Sequence, residues 1–498
     1  MSHQASQSGG TSYLDFVRFR AKANPCIAGL VEHLQRESRA ASRIVYLDYP
    51  QNESPKPFEP ISAGENDLLS LVEGITPYTT RFLFVENITS AIISKLGVAL
   101  DIDPLFFADY IDSTPLEFRK VVPTPSLATL PSLIVTRNHI HLHHYHVASL
   151  SSNHSSIVPY ALMIGSNIRR KVRRLAPISG RQLFLARACC SFTIKPVNSS
   201  QICVFLIDPP INAVDVPDAE PHRSYQAKVL GNGFEDFQSP PSFSSFAHGK
   251  VRRSFSETSM LDRIVSYLQT QQPPGFHVNS PSILSVGYYP VRIVLSEWSF
   301  YAHLMSRCSK YDQYSITNKP GHLRDEDLAH LQRWRRRSKR GKQRLDILAD
   351  IINFQMQYED EKEPWVLVLK DVNWLRKQLQ EYCESLEQMV TVATSMVQLL
   401  DSRRSMLEAV NMRRLTYIAM VFIPLAWVAS LFSMSDAYTP GNESFWVYVT
   451  TALPLLGIVL ITSILPYDRI FKTLRQTWEK RRGIQDMRKM SRLPQGAV

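Results

Sequence analysis

Apolar residues concentrate in the last quarter of the chain, in two runs that contain no charged residue. The first, LTYIAMVFIPLAWVASLF, covers residues 415–432, and the second, FWVYVTTALPLLGIVLITSIL, covers residues 445–465. Eighteen helical residues extend about 27 Å, close to the roughly 30 Å hydrocarbon thickness of a bilayer. Trp446 and Tyr448 lie at one end of the second run, as interfacial anchors do. The two runs predict two transmembrane helices.

Upstream of the first run, apolar residues repeat at intervals of three and four through residues 364–414. This spacing predicts a coiled-coil-like stalk helix that packs against copies of itself or against other helices. No capping glycine separates Pro364 from Phe432, so stalk and first span together predict one helix about 100 Å long. The repeat comprises Val372, Leu375, Leu379, Tyr382, Leu386, Met389, Ala393, Met396, Leu400 and, beyond Arg403, Leu407 and Val410.

The stretch 80–111 predicts a strand followed by two helices. The strand covers residues 81–85, and Thr89 or Ser90 can cap a helix that ends at Gly97. Asp103 followed by Pro104 predicts the second helix start, with a capping side chain and a proline at the first helical position.

The rest of the first 355 residues predicts a mixed α/β domain interrupted by Pro/Ser-rich loops. Strand-like and helical patterns alternate with these loops, and no strand order follows from them. We predict a partly disordered region over 1–66 and a cytosolic α/β domain over 67–355. The strand-like runs cover 133–145, 157–164 and 201–207, the helical patterns cover 290–308 and 325–354, and the loops cover 208–222, 238–250 and 271–282.

Charge orients the predicted spans. The formal net charge is +11, and residues 467–498 contribute +6 of it, from nine Lys/Arg and three Asp/Glu. Four arginines precede the first span, at 403, 404, 413 and 414, whereas the loop 433–444 has no Lys or Arg. By the positive-inside rule both termini are cytosolic, and the basic tail 466–498 lies near anionic lipid headgroups. We expect the plasma membrane rather than the mitochondrial inner membrane.

Two acidic residues, Asp436 and Glu443, lie in the predicted external loop. In an oligomer they can concentrate cations at the mouth of a pore. The alternative, two solvated loop carboxylates without a role, has equal weight.

The sequence RNHIHLHHYH, residues 137–146, contains a further candidate for metal chemistry. On a strand, His139, His141 and His143 share one face, and three imidazoles at alternate positions can bind Zn²⁺ or a similar ion. No fourth ligand is evident, so a solvated strand face is the favoured alternative.

The sequence RWRRRSKRGKQR, residues 333–344, is strongly basic and can indicate nucleic-acid binding. No nucleic-acid fold or interleaved aromatic pattern accompanies it, so we expect an exposed helix face or contact with anionic lipid instead. A nucleophile–base arrangement and a phosphate-binding glycine loop are also missing from the sequence, which has 19 glycines. We therefore predict no catalytic residues, no enzyme activity and no nucleic-acid partner.

The segment NMRRLTYIAMVFIPLAWVASLFSM, residues 411–434, resembles the end of the stalk and the first span of the CorA-type magnesium transporter superfamily. GVALDIDPLFFADYI, residues 97–111, resembles a helix-start segment in that family's soluble domain. The resemblance implies a homopentamer with five first spans around a central pore and five second spans outside. The transported or regulatory ion would be Mg²⁺ or another divalent cation, with no organic cofactor.

The resemblance also implies pore residues. The family's first span ends in Gly-Met-Asn, and these positions are Ser433, Met434 and Ser435 here. Met412 and Leu415 match apolar pore-facing positions, and Ala426 occupies a position that is polar in the family. The serines also favour an alternative, in which a non-conducting relative acts as a membrane-anchored sensing or binding scaffold.

Overall fold

The computed structural model describes residues 12–51, 59–111, 130–150, 161–175, 181–217, 223–230, 242–248, 259–318, 325–433 and 445–464. The chain divides into two compact units, Met1–Ala393 and Thr394–Val498. Unit 1 contains a sheet with helices around it, and unit 2 is helical where it is described.

The sheet contains ten strands in the described residues, in the order β2-β1-β3-β8-β7-β4-β10-β9-β5-β6. The pair β3–β8 is parallel and the other pairs are antiparallel. Because β6 also pairs with β7, the six strands from β7 to β6 form a closed ring. The strands are β1 (Arg43–Pro50), β2 (Ile61–Ala63), β3 (Thr79–Glu86), β4 (His139–Leu150), β5 (Ala161–Met163), β6 (Lys171–Arg174), β7 (Leu183–Val197), β8 (Ser200–Ile207), β9 (Ala213–Asp215) and β10 (Ser224–Val229).

The helices precede, interrupt and follow these strands. They are α1 (Tyr13–Ala23), α2 (Ala28–Leu34), α3 (Leu68–Glu73), α4 (Ser90–Ala99), α5 (Pro104–Ile111), α6 (Pro131–Val135), α7 (Phe243–Ala247), α8 (Met260–Thr270), α9 (Ile283–Asn318), α10 (Asp325–Gln355), α11 (Glu363–Phe432) and α12 (Phe445–Ile464). The predicted strand–helix–helix series over 80–111 is therefore confirmed as β3, α4 and α5.

Local capping explains where α4 and α5 begin. The Thr89 hydroxyl accepts a hydrogen bond from the Ile92 N–H at 3.2 Å. An Asp103 carboxylate oxygen accepts one from the Leu105 N–H at 3.0 Å. Each satisfies an N–H that lacks a partner within the helix, as an N-cap does.

Gly97 does not end α4, so that part of the prediction is wrong. The helix continues to Ala99, and a Cβ at Gly97 would lie 2.3 Å from the ring of Tyr13. The glycine therefore serves close packing between α1 and α4.

The strand boundaries also differ from the prediction. Residues 133–135 belong to the short helix α6, and β4 begins only at His139. Of the run 157–164, the structure describes 161–164, with a three-residue strand. The unpredicted β7 is a near-continuous apolar run, LFLARACCSFTIKPV, and most of its residues are buried.

Two apolar clusters of described residues contribute to the core of unit 1. The larger joins α1, α2, α4 and α5 to one face of β1, β3 and β8, through residues such as Val17, Phe107 and Val204. The second comes from the strands of the ring, through residues such as Val172 and Phe184.

The predicted long helix is confirmed as the 70-residue α11. In unit 1 it packs against α9 and α10. A Cβ at Gly341 in α10 would lie 2.9 Å from Trp298 of α9 and 3.1 Å from Leu379 of α11. The Ser338 hydroxyl donates to the Leu379 carbonyl at 2.8 Å, and Arg376 pairs with Asp346 at 2.5 Å.

Most of the stalk repeat is buried in unit 1, where only Tyr382 is half-buried. In unit 2, Met396 and Leu400 are half-buried and the last two positions are exposed. Val372, Leu375, Leu379, Leu386, Met389 and Ala393 are buried, whereas Leu407 and Val410 are exposed. Other helices of the same chain therefore cover the first part of the repeat.

One helix in the described residues, Glu363–Phe432, is long and apolar enough to cross a membrane, and its apolar window is almost entirely exposed. A second apolar helical stretch, Phe445–Ile461, is shorter than a membrane-crossing helix usually is. It forms most of α12, which carries no charged residue.

Candidate functional site

The structure describes half of the predicted pore and loop residues. Met412, Leu415 and Ala426 lie in α11, and Ser433 follows its end, where its N–H donates to the Ala429 carbonyl at 2.9 Å. Met434, Ser435, Asp436 and Glu443 lie outside the described residues.

The four described positions share one face of the helix. At 3.6 residues per turn, Met412, Leu415, Ala426 and Ser433 fall within about 60° of one another. All four are exposed, with Met412 and Leu415 each at 65%. We call this face, from Met412 to Ser433, the pore stripe.

The opposite side of α11 contacts α12. Val428 is only 3% exposed, and the rings of Phe432 and Tyr448 meet edge to face with centroids 5.8 Å apart. These α11 residues lie roughly 100–160° around the helix from the pore stripe. Within unit 2, α12 therefore leaves the pore stripe uncovered.

An aromatic–cation pair lies at the start of the first apolar run. The Arg413 Nε–H donates to the Tyr417 hydroxyl at 2.9 Å, and its guanidinium lies 5.5 Å from that ring centroid. Arginine and tyrosine are typical of the membrane–water interface at a helix end.

The histidine strand forms a different cluster. One ligand atom each from Asp109, His139 and His141 lie within 4.8 Å of one another, and His143 is not part of this group. Asp109 comes from α5, whose Phe106 ring packs 5.6 Å from His139 and 5.4 Å from His141. The prediction of a solvated strand face is therefore wrong, because α5 covers this face.

The chemical state of these imidazoles suits metal binding. Burial lowers the pKa of His139 to about 4 and that of His141 well below its usual value, so both rings are neutral near pH 7. The His141 Nδ1 lies 2.6 Å from the Ser191 hydroxyl, which can fix the ring orientation. The buried Nε2 atoms of His139 and His141 have no hydrogen-bond partner.

Arg137 competes with a cation for this cluster. Its Nη1 lies 3.6 Å from an Asp109 carboxylate oxygen, and the His141 Nε2 lies 3.7 Å from the same oxygen. A bound metal would therefore need the arginine to move away from the carboxylate. Asp109 was not recognised from sequence, although a carboxylate in the apolar helix PLFFADYI is a usable signal.

The other side of the strand carries a buried ion-pair network. Glu297 of α9 lies 3.4 Å from His146 Nδ1 and 3.5 Å from Arg263 Nη1. Burial alone would raise the pKa of Glu297, but the hydrogen bond from His146 and the electrostatic interactions with His146, His144 and Arg263 lower it to about 2. This network joins α8 and α9 to β4, so its role is structural.

The basic segment 333–344 lies within α10 in unit 1. Arg335 pairs with Glu387 of α11, and Arg333 and Arg337 are half-buried. The helix is confirmed, and the expected exposed face is present in part, because Arg336, Lys339 and Arg340 are exposed.

Comparison with known proteins identifies the C-terminal part. Residues 323–472 match the family model described as CorA-like Mg²⁺ transporter protein. Among curated proteins, none matches the chain.

Two solved structures are similar over most of the chain. The CorA magnesium transporter from Methanocaldococcus jannaschii is 10% identical with a TM-score of 0.36, covering 86% of this chain and 98% of that one. The full-length CmaX protein is 12% identical with a TM-score of 0.34, covering 89% and 99%. Because both TM-scores are low, the similarity to the CorA-like family rests on the family model. The match spans α10, α11 and α12, so this C-terminal part of the chain is similar to the CorA-like Mg²⁺ transporter family.

Proposed function

We propose that this chain is a divalent-cation channel or transporter of CorA type, in which α11 of each subunit lines the pore. The observation that carries the proposal is the family match over residues 323–472. The exposed pore stripe from Met412 to Ser433 supports it, because α12 packs on the other side of the same helix.

The proposed assembly is a homopentamer with two membrane passes per subunit and cytosolic termini, in the plasma membrane. The stripe then faces a central axis, and α12 faces lipid. The arginines at 413 and 414 and the tail 466–498 lie on the cytosolic side, where anionic headgroups attract them.

Ion selection is proposed at the external end of α11. Mg²⁺ loses its waters reluctantly, so a pore selects it by holding the hydration shell with polar groups. Rings of Ser433 and Ser435 hydroxyls around Met434 would supply such groups, with a shorter reach than asparagine amides. Asp436 and Glu443 would raise the local cation concentration.

A gate is proposed at the cytosolic end of the stripe. Met412 and Leu415 are apolar and lie on the same helix face, less than one turn apart. Rings of such side chains close a pore by excluding water.

The test is ion flux into liposomes that contain the purified protein, comparing Mg²⁺, Ni²⁺, Co²⁺ and K⁺. We expect flux of divalent ions in preference to K⁺. Met412→Asp places charge in the proposed gate and should change divalent flux severalfold, because a carboxylate ring hydrates and attracts cations.

Met406→Asp is the matched control for this experiment. Met406 is also an exposed methionine of α11, at 67%, but lies at least about 120° around the helix from the pore stripe. Equal effects of the two substitutions would contradict the pore assignment. An absence of flux from correctly inserted wild-type oligomers would contradict transport itself.

A further inference from the structure

Two imidazole nitrogens without a hydrogen-bond partner lie beside a carboxylate in the interior of unit 1. The Nε2 atoms of His139 and His141 are buried and have no such partner. The His141 Nε2 lies 3.7 Å from a carboxylate oxygen of Asp109. Native proteins usually give a buried polar atom a partner, because leaving it without one costs free energy. A cation held between the three side chains would supply one to both nitrogens.

The ligand atoms select the class of cation. Two imidazole nitrogens and one carboxylate oxygen suit Zn²⁺ and similar transition metals, whereas Mg²⁺ prefers six oxygen ligands. Around a tetrahedral Zn²⁺, bonds of about 2.0–2.1 Å place the ligand atoms roughly 3.4 Å apart. The 3.7 Å between Asp109 and His141 is already close to this spacing. The ion of this site therefore differs in chemistry from the Mg²⁺-type ion of the proposed pore.

The surrounding residues hold the two imidazoles in place. The Ser191 hydroxyl lies 2.6 Å from the His141 Nδ1, and the Phe106 ring packs against both imidazoles. The Asn138 carbonyl, at the start of β4, accepts a hydrogen bond from the Thr193 hydroxyl at 2.8 Å. Ligands that are positioned before the ion arrives lower the cost of binding it.

Arg137 occupies the position next to the carboxylate in this structure. Its Nη1 lies 3.6 Å from the Asp109 oxygen that also faces His141. The neighbours of Arg137 in the chain, Thr136 and Asn138, are exposed, and its own side chain is 19% exposed. A long side chain at the protein surface has other rotamers available to it, so the guanidinium can leave Asp109 while the strand stays in place.

We propose that Asp109, His139 and His141 form a reversible site for Zn²⁺ or an ion of the same class, and that the ion replaces the Arg137 guanidinium at Asp109. The arginine then acts as a competitor built into the chain. It lowers the affinity, so that occupancy follows the concentration of the ion. The proposal does not depend on transport through α11.

The test measures Zn²⁺ binding to the metal-free, full-length protein in detergent, by competition with a coloured chelator of known affinity. We expect saturable binding that an excess of Mg²⁺ does not reverse, because Mg²⁺ binds imidazole poorly. Displacement of the Zn²⁺ by Mg²⁺ would contradict a site for transition metals.

A matched pair of variants tests the competition. Arg137→Gln removes the competing cation and should tighten Zn²⁺ binding about tenfold, since the ion no longer has to break a charge-assisted contact. Lys195→Gln is the control. Lys195 also places positive charge near His139, but its amine donates to the Asp101 carbonyl at 2.6 Å. It should change the dissociation constant by less than about twofold, as expected for a screened charge.

A double-mutant cycle connects the arginine to the carboxylate. Asp109→Asn keeps the shape of the side chain and should weaken Zn²⁺ binding about tenfold or more, because a charged ligand is lost. In that background Arg137→Gln should have no further effect, since no carboxylate remains for which the ion and the guanidinium compete. Thermal unfolding checks that each variant is folded, and the Arg137→Gln and Lys195→Gln pair tests the competition without Asp109→Asn.

The outcomes distinguish failure of the site from failure of the exchange. An absence of saturable Zn²⁺ binding, or an unchanged affinity in Asp109→Asn, overturns the site. Equal tightening by Arg137→Gln and Lys195→Gln, or tightening by Arg137→Gln that persists in the Asp109→Asn background, overturns the exchange.

Discussion

The side chains of Asp109, His139 and His141 bring ligand atoms of one carboxylate and two neutral imidazoles within 4.8 Å of one another. Imidazole and carboxylate together favour Zn²⁺ and related transition metals over Mg²⁺. We predict that the full chain binds Co²⁺ with the strong visible absorption of a four-coordinate site, completed by water. His141→Ala should weaken this binding about tenfold or more, since it removes one of three protein ligands.

His143→Ala is the control for the histidine site, since His143 lies on the same strand but outside the group. It should leave the Co²⁺ spectrum unchanged. Co²⁺ that keeps its hydration shell in the proposed pore absorbs weakly. The intensity of the visible spectrum therefore distinguishes Co²⁺ at the histidine site from Co²⁺ in the pore. Equal loss of the spectrum in both variants would contradict a site built on Asp109, His139 and His141.

His33 makes the stability of unit 1 depend on pH. The side chain is buried, its Nε2 has no hydrogen-bond partner, and burial, with Arg36 and Arg170 nearby, lowers its pKa from 6.5 to about 4. Between these two values the unfolded chain binds a proton that the folded chain does not. The free energy of unfolding therefore falls as the pH drops from about 6.5 to 4, by up to about 3 kcal/mol for this group.

Thermal unfolding of the full chain across this pH range measures the effect. His33→Gln should flatten the dependence of the melting temperature on pH, because it removes one of the groups that protonate on unfolding. His277→Gln removes an exposed imidazole and is the comparison variant for the loss of a surface histidine. If His33→Gln leaves the wild-type slope intact, His33 is not a buried neutral group.

Among the helices, α4 depends on a glycine for its contact with α1. A methyl group at Gly97 would lie within 2.3 Å of the Tyr13 ring, whose hydroxyl is fixed by a 2.8 Å bond to the Ile102 carbonyl. Gly97→Ala should therefore lower the free energy of unfolding by about 1–3 kcal/mol, the usual cost of overpacking.

Gly64→Ala is the control for Gly97→Ala. A Cβ at Gly64 would approach only the flexible carboxylate of Asp67, at 3.1 Å, so the melting temperature should change little. A similar loss in both variants would mean that the glycines act through backbone freedom rather than through contact with Tyr13.

Elements with local signals were predictable, and those that depend on distant contacts were not. Thr89, Asp103 and the charge-free run 415–432 each carry their signal within a few residues, so α4, α5 and the end of α11 follow from sequence. In contrast, β7 is covered on both faces and lacks the alternation that indicates a strand.

The histidine cluster shows the same limit at the level of a site. The spacing of His139 and His141 places both on one strand face, which the sequence predicts correctly. Asp109 joins them only because α5 packs over that face, next to the pairing of β4 with β7. That arrangement requires the whole sheet of unit 1, which no local pattern encodes.

On the scale of the whole molecule, the surroundings of α11 differ from one part of the helix to the next. Its repeat is buried by other helices of the chain in unit 1, but Leu407 is 67% exposed and Val410 is also exposed in unit 2. Apolar residues in an aqueous segment that precedes a membrane span require a partner. In the proposed homopentamer, copies of the same helix would provide this partner, as the heptad spacing predicts.

The oligomeric state in mild detergent tests this interpretation, with mass measured by light scattering. We expect the wild type at the mass of five subunits and Leu407→Glu at a lower mass, because each subunit would bury an unpaired charge at the helix contact. Ser402→Glu adds the same charge to an exposed position of α11 outside the repeat and should preserve the assembly. If Leu407→Glu assembles like the wild type, Leu407 does not lie between subunits, and the exposed part of the repeat faces solvent or lipid headgroups instead.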